Sequence, residues 1–148
     1  MNEAELQSYL NDHIPLTLAM QVSVSRVRAD GVELRAPLAP NINHRDTLFG
    51  GSASAVATLA AWSLVHTRLL SEGRPSRLVI RRSTMDYERP VAGDFSARSF
   101  LEPPADWQRF VDMLDHVGMA RIAVAAVLEY DGRPAGRFAG EFVALEKG

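Results

Sequence analysis

The stretch Phe49-Gly50-Gly51-Ser52 has the residue types best suited to chemistry in this chain. Two glycines directly before a predicted helix let a substrate come close to the backbone. The free amide groups at the start of a helix also carry partial positive charge, which favours a negatively polarised group beside them. A plain glycine turn that allows tight packing between helix and sheet is the alternative, and the residues alone leave both interpretations open.

Other nucleophiles and metal ligands are poorly represented. The chain has no cysteine, which excludes a thiol nucleophile, a disulfide framework and a Cys-based zinc site. The run from Gly50 to Ser54 nearly matches a nucleophile elbow centred on Ser52, but it lacks the last glycine and the α/β-hydrolase order of elements. No two of the four histidines have metal-ligand spacing. We therefore expect neither a serine nucleophile, nor a metal, nor a cofactor.

The elements that must position the turn follow the order α-β-β-α-β-β-α-β-β. Hydrophobic periodicity and turn residues, including the pairs Asp30-Gly31 and Asp131-Gly132, define the boundaries. The predicted helices cover 3–13, 51–71 and the stretch from Pro103 through Asp115. The predicted strands cover Gln21–Arg28, Val32–Leu38, Arg77–Glu88 with a bulge near Arg81-Arg82, Phe95–Glu102, Ala120–Tyr130 and Arg133–Leu145.

The helix over 51–71 lacks a polar face. No Asp, Glu, Lys or Arg occurs from Thr47 to Thr67, and nine of the twelve residues from Gly50 to Ala61 are Gly, Ala or Ser. This composition is too weakly apolar for a membrane span and favours a helix buried on nearly all sides. We therefore predict an α+β fold, a curved antiparallel sheet wrapped around a long central helix, in a single domain over 1–148. Exposed sheet edges usually pair with a second copy, so we expect a homodimer, with a tetramer as an option.

The composition limits the classes of protein to which the chain can belong. Hydrophobic residues make up 47% and charged residues 23%, as in globular proteins, and 16 basic residues are scattered among 18 acidic ones. A nucleic-acid-binding protein would show a concentrated basic stripe, so we expect no nucleic-acid partner and no membrane. The acidic amino terminus lacks the apolar region of a signal peptide, so a cytoplasmic location is expected.

Several segments together resemble a known family. The sequence is similar, over nearly its whole length, to putative thioesterases of the YiiD carboxy-terminal-domain type, which have the hotdog fold. The segments that carry the resemblance are Ala36–Asn43, Thr47–Ser52, Trp62, Asp86–Val91, the helix with Trp107, Arg109 and Phe110, and Gly140–Leu145.

The resemblance implies hydrolysis of acyl-CoA or acyl-carrier thioesters by direct attack of water at a dimer interface. The amide of Gly51 or Ser52 would then polarise the thioester carbonyl, because negative charge develops on its oxygen. Asn43 aligns with a common family asparagine that could hold the water or the thioester; it could equally be a turn-forming residue. Phe49 and Tyr87 are candidate pocket walls.

Two further arginines are candidate contacts for the substrate. Arg81 and Arg82 are adjacent on a strand and are expected to point to opposite faces of the sheet. One of them could reach the phosphates of CoA, for which the guanidinium group is well suited. A solvated strand face is the alternative.

The chain departs from the better-known pattern in its water-activating group. Similar phenylacetyl-CoA hydrolases have His-Gly-Gly and an acidic residue two turns into the helix; this chain has Phe49 and, at about the acidic position, Thr58. Thr58 and Ser54 lie on one helix face and could position a water, or they could simply hydrogen-bond the carbonyl groups four residues back. Neither is a base at neutral pH.

The loop before the turn offers the remaining bases. His44 and Asp46 are the nearby groups able to accept a proton, and Asp46 could instead cap the helix. The missing helix carboxylate leaves open an acyl-binding protein without catalysis. A hydratase or dehydratase, which usually relies on a His–Asp pair near the helix start, is a third possibility.

Overall fold

The computed structural model describes residues 1–147, so Gly148 of the predicted domain lies outside the described residues. All nine predicted elements are present, and one short helix joins them. The helices are α1 (Glu3–His13), α2 (Leu16–Ala19), α3 (Gly50–Ser71) and α4 (Trp107–Val117), with a 3-10 turn at Ala39–Asn41. The strands are β1 (Ser23–Arg28), β2 (Gly31–Ala36), β3 (Ser76–Tyr87), β4 (Phe95–Leu101), β5 (Met119–Tyr130) and β6 (Arg133–Glu146).

The six strands form one antiparallel sheet in the order β1-β2-β4-β5-β6-β3. Both edge strands, β1 and β3, are therefore paired on one side only. The register between β3 and β6 shifts between Ile80 and Arg82, which confirms the predicted bulge. The Asp131-Gly132 hairpin is also confirmed, because both residues have positive φ angles, 55° and 73°.

Helix α3 lies against the sheet and packs on strands β2 to β6. Its small residues, such as Ala53, Ala57, Ala60 and Ala61, are all buried, so the sheet backbone can approach closely and curve around the helix. On β5, alternate residues from Ala120 to Leu128 are buried in the same core. The predicted curved antiparallel sheet around a central helix is thus confirmed. Within residues 1–147, no helix is long and apolar enough to cross a membrane.

Most boundaries differ from the predictions by one or two residues, and two of the differences have a clear physical cause. The turn between β1 and β2 falls at Ala29-Asp30 rather than Asp30-Gly31, because Gly31 already pairs with Arg28 in the ladder. Gly31 is needed for a close approach instead: a Cβ atom there would collide with the carbonyl oxygen of Ser99. Helix α4 begins at Trp107, not in the proline segment.

The start of α4 has a capping residue that explains its position. The side chain of Asp106 accepts hydrogen bonds from the backbone N–H groups of Gln108 (2.9 Å) and Arg109 (3.3 Å). This is the geometry of a helix N-cap, so the first helical residue is Trp107, one position after Asp106. The preceding prolines therefore lie in a turn outside the helix.

Candidate active site

The first turn of α3 presents three unpaired amides. Phe49 is the N-cap residue, but its side chain makes no capping hydrogen bond, and the turn contains no acidic residue. The first helical hydrogen bond runs from the N–H of Ala53 to the Phe49 carbonyl oxygen (3.0 Å). Among the described residues, the N–H groups of Gly50, Gly51 and Ser52 therefore have no acceptor. They form the positive end of a 22-residue helix.

An apolar cavity of about 310 Å³ opens beside these amides. Helix α2, which the sequence did not predict, supplies Leu16 and Ala19 to its wall, and Pro40 and Ala55 complete it. No charged side chain of the described residues lines the cavity, so an apolar group fits it better than a polar one. Leu16 in this wall is 54% exposed.

Phe49 and Tyr87 flank the glycine turn; Phe49 lines the cavity and Tyr87 is not among its lining residues, and their role as pocket walls stays a prediction. The Phe49 ring is 57% exposed and lies over Gly51, where an added Cβ would collide with its edge. The Tyr87 hydroxyl donates a hydrogen bond to the carbonyl oxygen of Gly50 (3.1 Å). Because Tyr87 is the last residue of the edge strand β3, this bond ties the turn to the open edge of the sheet.

Asn43 folds the loop that precedes the helix. Its Oδ1 accepts hydrogen bonds from the N–H groups of Arg45 (2.8 Å) and Thr47 (3.1 Å). Its Nδ2 donates to Thr47 Oγ1 (3.0 Å) and to the Leu48 carbonyl oxygen (3.3 Å). These are the bonds of a turn-forming asparagine, and the role of Asn43 in holding water or a thioester stays a prediction.

Asn41 supports the turn more directly, and the sequence analysis did not single it out. Its side chain is buried, and Nδ2 donates to the carbonyl oxygens of Met20 (3.0 Å) and Pro37 (2.8 Å). Its own carbonyl oxygen accepts the N–H of Phe49 (2.8 Å). Asn41 thus joins the end of α2 and the Pro37 segment to the N-cap of α3. The only signal in the sequence is an asparagine next to Pro40.

The two candidate bases do not touch the turn within one chain. His44 and Asp46 are both exposed, and neither side chain has a hydrogen bond or an ion pair among residues 1–147. Asp46 has a positive φ of 61°, a conformation that Asp tolerates better than most residues. The expectation that Asp46 caps α3 is wrong, because Phe49 occupies the N-cap position. The role of either residue as a base stays a prediction.

Of the two helical hydroxyl groups behind the turn, that of Thr58 adopts the simpler of its two expected roles. Thr58 Oγ1 donates to the carbonyl oxygen of Ser54 at 2.8 Å, the bond to the residue four positions back. Ser54 and Thr58 are both half-buried on the face that begins at the turn. The Ser54 hydroxyl has no partner within residues 1–147, so it is free to bond a water.

The chain does not bring Arg81 and Arg82 to the turn. Both lie in the middle of β3; Arg82 is five residues from Tyr87, about 17 Å along an extended strand. Arg81 forms an ion pair with Glu141 (2.7 Å), whereas Arg82 has no carboxylate within 4.0 Å among the described residues. Residues 1–147 also contain no cluster of three His, Asp or Glu side chains arranged to bind a metal.

Solved structures share this architecture. A protein of unknown function from Chlorobaculum tepidum TLS is 28% identical, covers 98% of this chain and 94% of its own, and superimposes with a TM-score of 0.92. A putative thioesterase from Shewanella oneidensis is 23% identical with a TM-score of 0.87, over 97% of this chain and 96% of that chain. A thioesterase from Haemophilus influenzae is 13% identical with a TM-score of 0.78, over 99% and 92%. At these identities the last two show the fold alone, and they confirm the hotdog architecture expected from the resemblance.

A family model gives the more specific match. The model described as "Putative thioesterase (yiiD_Cterm)" matches residues 3–146, nearly the whole chain. The match includes the glycine turn, the loop before it and the edge strand β3.

Proposed function

Because the chain belongs to the YiiD_C putative thioesterase family, we propose that it hydrolyses acyl-CoA or acyl-carrier-protein thioesters by direct attack of water. The observation that carries the proposal is the set of three unpaired amides, Gly50 to Ser52, of which Gly51 and Ser52 line an uncharged apolar cavity. An acyl chain fits the cavity, and the thioester carbonyl then lies near the amides. The proposal includes the cytoplasmic location expected from the sequence, which cell fractionation would test.

The amides act on the charge that develops during the reaction. When water attacks the carbonyl carbon, negative charge collects on the oxygen, and donors already fixed in place stabilise it without reorganisation. Gly51 is the strongest candidate for the donor, because it is exposed and has no acceptor in the helix. Ser52 is the next candidate, half-buried one residue further along the helix.

The proposal also requires a second copy of the chain. Within residues 1–147, strand β3 pairs with β6 alone, so its other edge is open. The side chains of Val79, Ile80 and Tyr87 on this strand are exposed. An exposed edge of twelve residues is a template for strand pairing. Antiparallel pairing of β3 with β3 around a two-fold axis would bring the start of the partner's strand to Tyr87, and thus beside Gly50. A homodimer, alone or within a tetramer, would therefore complete the site.

Contacts to the carrier are proposed for Arg82. Arg81 is already held by Glu141, so Arg82 is the better placed of the two to bind a phosphate of CoA. His44 and Asp46 stay as candidates for the group that accepts the proton of the attacking water.

Binding without catalysis is the second candidate function. It is favoured by the absence, among residues 1–147 of one chain, of a carboxylate or histidine in contact with the three amides. A hydratase would need the His44–Asp46 pair at the site, and both side chains are exposed and unconnected to the turn.

A panel of short, medium, long and aromatic acyl-CoAs tests the proposal. The protein has no cysteine, so a thiol reagent reports released CoA without background from the protein. Gly51→Pro removes the amide proton, and Gly51→Ala is its matched control, because both add a Cβ that displaces the Phe49 ring. Proline is tolerated in a first helical turn, where no hydrogen bond is lost. We expect kcat/KM to be about 10²- to 10³-fold lower in Gly51→Pro than in Gly51→Ala.

Three results would contradict the proposed thioesterase function or replace it with another. Hydrolysis of no member of the panel contradicts a thioesterase. Thermal stabilisation by an acyl-CoA without turnover indicates the acyl-binding protein instead. Hydration of crotonyl-CoA without CoA release indicates a hydratase.

A further inference from the structure

A strand position beside β5 is empty. Strand β4 ends at Leu101, which pairs with Val124, whereas β5 begins five residues earlier, at Met119. After Leu101 the chain turns away through Pro103-Pro104 and forms α4. Residues 119–123 therefore pair with β6 on one side and have no neighbouring strand on the other. We call this position the β5 slot; it is bounded by β5 residues 119–123, the side of α4 and the two prolines.

The backbone of β5 points polar groups into the slot. The N–H of Glu102 donates to the carbonyl oxygen of Ala123 (3.0 Å), so the peptide groups of Ala123 face this side. Alternate residues of a strand direct their N–H and C=O groups to the same side. Those of Arg121 and Met119 therefore point into the slot as well, and the ladder of β4 does not reach them. Within residues 1–147, the slot thus has an open row of backbone donors and acceptors.

The side of α4 supplies an apolar wall. Arg109, Met113 and Val117 are spaced four residues apart and form one stripe of the helix along the slot. Met113 is 51% exposed, Val117 64% and, on the facing strand, Met119 47%. The cavity between helix and strand has a volume of about 740 Å³. This volume lies within the range of functional binding clefts.

The open backbone row decides what chemistry fits. An acyl tail would bury those N–H and C=O groups without a partner, which is costly. An extended peptide pairs them and also places every second side chain against the apolar wall. We therefore propose that the β5 slot binds an extended segment of a partner protein as an added strand between β5 and α4. This inference is independent of the proposed hydrolysis.

The charge and the length of the slot further restrict the sequence of the partner segment. Arg109 has no carboxylate within 4.0 Å among the described residues. Arg121 reaches only Glu141, at 3.9 Å, and that carboxylate is already paired with Arg81 at 2.7 Å. Arg109 and Arg121 are both lining residues of the slot, and each guanidinium group can donate hydrogen bonds to an acidic side chain of the partner. The slot extends along residues 119–123, about 17 Å, although the carbonyl oxygen of Ala123 is already bonded to Glu102. The segment is therefore about five residues long, apolar at alternate positions, with one acidic residue.

Selection from a phage-displayed library of random seven-residue peptides against the full-length protein tests this proposal. Arg121→Pro removes the N–H that faces the slot and leaves the pairing of β5 with β6 intact; proline is tolerated at such an edge. Its matched control is Arg121→Ala, which keeps that N–H. Met113→Glu introduces a charge on the apolar wall, and Gln108→Glu makes the same charge change on α4 outside the slot. Circular dichroism and urea unfolding check that each variant is folded.

We expect the selection to enrich peptides with alternating apolar residues. These peptides should bind Arg121→Pro and Met113→Glu at least about tenfold more weakly than they bind the wild type. Gln108→Glu should bind them unchanged, and Arg121→Ala should lose only the contribution of the acidic residue. Failure to enrich any peptide, or equal binding to Arg121→Pro and Arg121→Ala where both are folded, overturns the proposal. Where Arg121→Pro does not fold, equal binding to Met113→Glu and Gln108→Glu overturns it instead. Binding of dodecanoate at the slot without any peptide, or self-association that Met113→Glu abolishes, also overturns it, because the occupant would then be a lipid tail or a second copy.

Discussion

Acidification is expected to destabilise the folded protein through His66, a buried histidine on α3. Its ring stacks on Trp62 (centroid distance 4.4 Å) and contacts Tyr9 of α1 (4.6 Å). Nε2 is buried without a hydrogen-bond partner among the described residues. Burial first, and then the positive charges of Lys147, His13 and the amino terminus, lower the pKa of His66 from 6.5 to about 4. The neutral ring is therefore the form that the fold accommodates.

The sign and size of the effect follow from linkage. Between pH 6.5 and 4 the unfolded chain binds a proton at His66 and the folded chain does not, so protonation favours unfolding. The free energy of unfolding decreases as the pH falls through this window, and His66 causes no further decrease below about pH 4. A difference of 2.5 units between 6.5 and about 4 corresponds to about 3 kcal/mol at 1.36 kcal/mol per unit.

Urea unfolding at pH 7 and pH 4.5 measures this contribution. His66→Phe keeps the aromatic stack and removes the titrating group, and His116→Gln changes an exposed histidine at the end of α4 as a control. We expect the wild type to lose about 2 to 3 kcal/mol more than His66→Phe between the two pH values. His116→Gln should behave as the wild type does. An equal loss in the wild type and His66→Phe would refute the assignment of the effect to His66.

Three further predictions concern the stability of the fold. Gly31→Ala should lower the free energy of unfolding by about 1 to 3 kcal/mol, because its Cβ meets the carbonyl oxygen of Ser99; urea unfolding measures it, and unchanged stability would contradict the close contact. Asp106→Ala should cost about 1 kcal/mol through loss of the α4 cap, and Asp106→Asn, which keeps a capping oxygen, should recover most of it in thermal unfolding. Trp62→Phe should cost about 1 to 2 kcal/mol, because the Nε1–H bond to the Leu78 carbonyl oxygen (3.0 Å) is lost; a changed urea midpoint at constant slope checks it.

The strands could be predicted from the sequence because their signals are local. Alternation of apolar residues and the Asp131-Gly132 turn define β5 and β6, and the predicted bounds differ from the observed ones by one residue. Helix α2 was missed because its four residues after Pro15 are too few to show a helical period. The omission affects the site, since Leu16 of this helix forms part of the cavity wall.

The candidate site could be predicted only where it depends on residues that are close together in the sequence. The amides of the glycine turn follow from two glycines at a helix start. The role of Asn41 does not, because it comes from contacts with Met20, 21 residues away, and with the N-cap of α3. The capping role considered for Asp46 failed for a related reason. The backbone of Asn41, rather than an acidic side chain, holds the N–H of Phe49.

The replacement of the usual histidine by Phe49 changes what one chain can do. The turn offers three amides that can stabilise negative charge on a carbonyl oxygen, and an apolar cavity for the group attached to it. Within residues 1–147, no side chain that can take a proton from water contacts the three amides. The open edge of β3 ends at Tyr87, whose hydroxyl is bound to this turn. A second copy paired along that edge would place its own residues opposite the amides, and the search for the water-activating group should therefore begin there.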